Sequence, residues 1–134
     1  MTMLEPYINF MESVEDFDLA TIDQFIAPDI HFVDPFNDTY GLDHYRRIID
    51  DMRKQLAALN IKVHERAMVS ENSALIRWEL TGNLRVFKGR YWCVEGCSRL
   101  GFNQRGQVNE HLDHWEAAGQ LYESFPLIGS VLRR

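Results

Sequence analysis

About two-fifths of the way along the chain, the spacing of apolar residues changes from a helical period to a period of two. From Leu42, the residues Tyr45, Ile48, Ile49, Met52, Leu56 and Leu59 recur every 3.6 positions, with Arg46/Asp50 and Arg47/Asp51 as i, i+4 pairs on the opposite side. After this helix the chain alternates, in four segments: 61–70, 74–82, 91–102 and 108–115. The links between them are ENS, a loop containing Lys88-Gly89, and NQRGQ, all compatible with antiparallel turns. Helices followed by a run of antiparallel strands predict an α+β architecture, with the helices packed on one face of a sheet.

The residues before Leu42 fit the same plan. Pro6 suits a first helical turn, and Tyr7, Phe10, Met11, Val14 and Phe17 then share one stripe. A short second helix is expected over 19–26, broken by Ala27-Pro28-Asp29. A strand over 30–34 ends at Pro35, and the turn-rich FNDTYG reads as a loop. A short helical tail is expected from Ala117, interrupted at Pro126 and ending in LIGSVLRR. No repeat or linker divides the 134 residues, so 1–134 reads as one domain, long enough to bury a core without disulfide staples.

Charge and cysteine use narrow the classes of function. With 14 Lys+Arg against 20 Asp+Glu the net charge is −6, which leaves no basic surface for a nucleic-acid backbone. MTMLEPYINF lacks the features of a signal peptide and no apolar run is long enough to cross a bilayer, so a cytoplasmic protein is expected, with neither nucleic acid nor membrane as partner. Cys93 and Cys97 stand i, i+4 in a strand, about 13 Å apart, beyond disulfide reach. They read as buried or half-buried free thiols in a reducing compartment.

Strand alternation then assigns faces. Ile30, Phe32 and Asp34 share a side, which puts a carboxylate at the end of an apolar face. Ala74, Ile76, Trp78 and Leu80 form an inner set, with Arg77 and Glu79 outside. In 91–102 the inner set is Trp92, Val94, Gly96, Ser98, Leu100 and Phe102, so Ser98 points among hydrophobes. For the last strand periodicity leaves two choices open: His111, Asp113 and Trp115 inside, or Glu110, Leu112 and His114.

The segments IAPDIHFVDPFNDTYGLDHYRRI, ALIRWELTGNLR and GCSRLGFNQRGQVNEHLDHW resemble the SnoaL-like branch of the nuclear-transport-factor-2-like superfamily, over nearly the whole chain. The resemblance implies a cone, in which a strongly bent antiparallel sheet wraps around three helices and encloses a ligand pocket. In the ketosteroid isomerases of that superfamily a general-base aspartate lies in a motif resembling Phe32-Val33-Asp34-Pro35, which matches it to Asp34. Their oxyanion-hole tyrosine falls at Phe10 and their protonated aspartate at Ser98. Phenylalanine donates no hydrogen bond, so the steroid isomerase reaction would lose several kcal/mol, on the order of 3, of transition-state stabilisation. SnoaL-type polyketide cyclases carry an acid/base aspartate on the last strand, matched here by Asp113, and this places His111, Asp113 and Trp115 inside. The chemistry of limonene epoxide hydrolases, with their Asp-Arg-Asp set, ranks below cyclase or isomerase, because Arg77 and Arg99 read as outward-facing.

A histidine and two carboxylates converging on an apolar pocket form a setting for acid/base work. The candidate catalytic residues are therefore Asp34, His111 and Asp113: one aspartate takes a proton next to a carbonyl, and His111 and Ser98 polarise the oxygen. The structural alternative is a buried polar network in which Asp113 merely holds His111. Phe10, Phe32, Trp78, Trp92, Ser98 and Trp115 are the candidate ligand-binding residues, Trp78 on the core side and Trp92 and Trp115 as pocket walls. His111-x-Asp113 resembles the start of a metal triad, but no histidine follows His114, and no metal or cofactor is expected. The expected partner is a small apolar or carbonyl-containing molecule. The competing class is a non-catalytic ligand-binding or interaction module, dimeric through an outer sheet face where Arg77, Glu79, Tyr91, Glu95 and Arg99 alternate in sign.

Overall fold

The computed structural model describes residues 1–116, so the tail expected from Ala117 lies outside the described residues. Two α-helices, α1 (Leu4–Glu12) and α2 (Leu42–Gln55), and a 3-10 helix (Leu19–Gln24) pack inside a sheet of six strands. The strands are β1 (Ile26–Val33), β2 (Asp38–Tyr40), β3 (Leu56–Ser70), β4 (Ser73–Leu84), β5 (Arg90–Phe102) and β6 (Val108–His114). Their order is β2-β1-β6-β5-β4-β3, in a curled, unclosed sheet of the expected cone type. All neighbours are antiparallel except β1 and β6, which run parallel. That pairing sets Phe32 beside His111, while β5 sets Ser98 beside Asp113.

Two boundaries depart from the sequence pattern, each at a bulge. Leu56 and Leu59 continue the helical spacing of α2, yet they belong to β3. Ala58 has φ 52° and the β3–β4 register shifts between Ala57 and Asn60, so the extra residue lets two leucines three positions apart both turn inward. At the other place, Ala27-Pro28-Asp29 lies inside β1 rather than breaking a helix before it. The β1–β6 register shifts between Ile26 and His31, and an irregular stretch tolerates a proline that has no ladder donor. The segment read as a loop also supplies the short strand β2.

The inner sets of β4 and β5 face the core as the alternation predicts: Ala74, Ile76, Trp78, Val94, Ser98, Leu100 and Phe102 are buried. Cys93 and Cys97 occupy the other face of β5 and are exposed free thiols, correcting the expectation of buried ones. The helix ion pairs differ too. Arg46 meets Asp43 and Lys54 meets Asp50, in place of Arg46/Asp50 and Arg47/Asp51. Arg46 and Arg53 are drawn inward instead: they donate to the backbone carbonyls of Leu19, Val14 and Phe17, anchoring the segment between α1 and β1. On the outer face Arg77 pairs with Glu65 and Arg99 with Glu110, so these charges are balanced within the chain.

The edge strand β3 is capped over its first half. Its Leu59 and Val63 N–H groups donate to the carboxylates of Glu15 (2.6 Å) and Glu12 (3.0 Å), and Arg66 forms an ion pair with Glu5. Edge donors of this kind otherwise invite pairing with another chain. The same carboxylates dock α1 against the sheet and turn its apolar stripe toward the interior, where Tyr7, Ile8, Phe10 and Met11 are buried. Among the described residues no helix is long and apolar enough to cross a membrane.

Candidate functional site

Inside the cone a cavity of about 60 Å³ lies between the helices and the sheet. Phe10, Met11 and Val14 line it from α1 and the turn that follows, and Tyr45, Ile49 and Met52 from α2. Phe32, Ile61, Trp78, Leu80, His111 and Asp113 line it from the strands. The wall is almost wholly apolar and its polar atoms gather at the β6 side. Gly96 makes room for this arrangement, because a Cβ there would lie 2.7 Å from the Trp78 ring and 2.9 Å from the Trp115 Cβ.

The polar side chains form one connected chain. The Tyr45 and Tyr7 hydroxyls are 2.7 Å apart, and the Tyr7 hydroxyl is 2.5 Å from His111 Nδ1. His111 Nε2 lies 2.6 Å from Asp113 Oδ1. Ser98 Oγ donates to that same oxygen and accepts from Trp78 Nε1 at 2.7 Å. A carboxylate oxygen accepts, so Nε2 carries the proton facing Asp113. On the other side of the ring the Tyr7 hydroxyl bridges Nδ1 and the Tyr45 hydroxyl. The two hydroxyls stay protonated in these roles: burial, then the neighbouring Tyr45 and the Asp113 charge, push Tyr7 well above the ordinary tyrosine value. Burial also raises Tyr45, with the Asp113 charge adding to it and the hydrogen bond to Tyr7 opposing.

Both side-chain hydrogen bonds to Asp113 from the described residues fall on Oδ1. Oδ2 takes no part in them, and the Asp113 side chain is 13% exposed, on the cavity wall. His111 by contrast has both ring nitrogens engaged, and Ser98, fully buried, uses its hydroxyl both as donor and as acceptor.

The other sequence candidates separate into two groups. Phe10, Phe32 and Trp78 reach the cavity wall. Asp34 does not: it sits in the turn between β1 and β2, where its carboxylate accepts from the Phe36 and Asn37 backbone N–H groups and from the Asn37 amide. Trp92 and Trp115 meet edge to face at 6.4 Å, with Phe36 against Trp115 at 5.7 Å, and neither tryptophan is among the described residues lining the cavity. The hydroxyls of Tyr7 and Tyr45 are the functional groups that apolar periodicity does not reveal. A signal was present, because a tyrosine on the innermost stripe of a helix must find a partner for its hydroxyl. Tyr7, one turn before Phe10, supplies the phenol of the first helix.

The family model described as "SnoaL-like domain" matches residues 7–111. No curated protein matches the sequence. Among solved structures, a SnoaL-like polyketide cyclase from Agrobacterium tumefaciens str. C58 superposes with a TM-score of 0.71 at 14% identity, covering 87% of this chain and 92% of the other. An LEH-like epoxide hydrolase of M. tuberculosis gives 0.70 at 13% identity, covering 97% of this chain and 88% of the other. A protein with a ketosteroid isomerase-like fold from Catenulispora acidiphila DSM 44928, in complex with trimethylamine, gives 0.74 at 12% identity, covering 92% and 94%. Likeness at these identities establishes a shared fold.

Proposed function

The chain belongs to the SnoaL-like domain family, and from that premise we propose that it binds a small, mainly apolar molecule inside the cone, with Asp113 as the acid/base group in reach of it. One observation carries the reading: on an otherwise apolar wall, Asp113 is held by Ser98 and His111 through Oδ1 alone, leaving Oδ2 for a ligand. Removal of a proton by a fixed carboxylate needs that arrangement, in which the base is oriented by other groups and one oxygen meets the reacting atom. Neutral Tyr7, through His111, completes the support behind it.

The size of the cavity restricts the ligand. About 60 Å³ is well below the roughly 300 Å³ at which drug-sized pockets begin. The Catenulispora protein of the same fold holds trimethylamine, a molecule on this smaller scale. Met11 and Met52, unbranched and adaptable, are the wall positions best suited to yield to a somewhat larger guest.

A second reading, binding without chemistry, is favoured by one feature: His111 and Ser98 spend their hydrogen bonds within the protein, so neither is left to polarise a substrate oxygen. Mass spectrometry of molecules that co-purify with the protein identifies the ligand, and its incubation with protein in deuterated water separates the readings. Acid/base action by Asp113 puts deuterium on carbon in the ligand, and Asp113→Asn abolishes this while leaving the fold intact. Saturable binding without any exchange selects the binding module; undiminished exchange in Asp113→Asn removes Asp113 from the chemistry.

A further inference from the structure

The cavity wall has an unequal supply of hydrogen-bonding groups. Its hydrogen-bonding side chains are engaged with one another: Tyr45 with Tyr7, Tyr7 with His111 Nδ1, and Nε2 with Asp113. Behind the wall Trp78 donates to Ser98, and Ser98 donates to Asp113. The acceptor left outside these bonds is Oδ2 of Asp113, a residue of the cavity wall, and no Lys or Arg is among the described residues lining the cavity.

The remaining lining supplies four aromatic rings: Phe10, Phe32, Tyr45 and Trp78. Phe32 and Tyr45 meet at 83° with centroids 5.6 Å apart, and Phe10 and Tyr45 at 44° and 6.3 Å. Rings set at such angles approach one another from different directions instead of stacking. Aromatic rings and a carboxylate on one cavity wall are the chemistry that recognises alkylammonium ions, through the negative ring faces and one full opposite charge. The scale agrees, since about 60 Å³ suits a compact cation better than an extended chain.

We infer that the ligand of this cavity is a small alkylammonium cation, held by the rings of Phe10, Phe32, Tyr45 and Trp78 with its charge against Asp113. This rests on the cavity being the binding site, and it deepens that reading by naming the class of molecule. A neutral carbonyl compound is the poorer guest, because its oxygen meets no spare donor.

The test compares tetramethylammonium chloride with tert-butanol, a neutral molecule of similar shape, by titrating each into the whole protein and following the Met11 and Met52 methyl resonances by NMR. Tetramethylammonium is expected to shift both methyls saturably and to bind roughly tenfold or more tightly than tert-butanol. Asp113→Asn and Phe32→Leu should each weaken the cation by roughly tenfold, and weaken tert-butanol by less. The wild-type comparison stands by itself if either variant misfolds. Equal or tighter binding of tert-butanol overturns the cation inference while keeping the cavity as the site. Absence of any saturable shift with either molecule overturns both readings.

Discussion

The turn after β1 and the inner wall of β6 each hold an aspartate that accepts several hydrogen bonds, and they differ in where the donors come from. Asp34 takes all of its bonds from residues two and three positions ahead, an Asx-type turn that the local sequence can build unaided. Asp113 takes its bonds from His111 on its own strand and from Ser98, fifteen residues away on β5. Behind His111 stands Tyr7, 104 residues distant. A carboxylate satisfied by its neighbours closes a turn; one whose donors converge from separate elements is fixed by the fold, here on the cavity wall.

Substitutions on either side of this contrast test it. Ser98→Val removes the acceptor of the buried Trp78 N–H and one donor to Asp113, and unfolding titrations should show a loss of about 3 kcal/mol. Tyr7→Phe leaves Tyr45 and His111 Nδ1 without their partner, with an expected loss of about 2 kcal/mol in the same measurement. Asp34→Ala should cost about 1 kcal/mol and leave ligand binding in the cavity untouched. If Asp34→Ala abolished binding, the division between turn and site would fail.

An alkaline titration sharpens the contrast without mutation. The unfolded chain ionises its tyrosines near the ordinary value of about 10, whereas Tyr7 and Tyr45 resist ionisation while folded. Above that pH the unfolded state binds fewer protons than the folded one, so the stability contributed by the pair is complete below it and falls as pH rises. Absorbance near 295 nm should show Tyr7 and Tyr45, two of the five tyrosines, ionising only on unfolding. A smooth titration of all five in the folded protein would mean that the hydroxyls behind Asp113 are open to water.

Much of the fold was legible because period-two alternation reports burial directly, as Ile76, Trp78, Val94 and Leu100 show. The errors fell where an extra residue changed the period. Leu56 and Leu59 imitate a helix because the bulge at Ala58 gives a strand a spacing of three, and no single-residue signal announces it. For the site, the inward positions of Ser98 and Trp78 follow from alternation, and the inward face of β6 followed only from family resemblance. Tyr7 and Tyr45 read as apolar because periodicity registers their rings and is blind to which distant group meets the hydroxyl. Alternation extends the face of Phe32 to Asp34, but β1 ends at Val33, and the turn takes the carboxylate.

The position of β6 has a consequence for assembly. Among the described residues, the strand latest in sequence lies inside the sheet, between β1 and β5. Until it inserts, the growing fold consists of two partial sheets, each with an unpaired backbone edge, and joining them means closing a long stretch of chain against its entropy. Slow insertion would leave those edges open to other copies of the chain, so the window for self-association falls before β6 is seated.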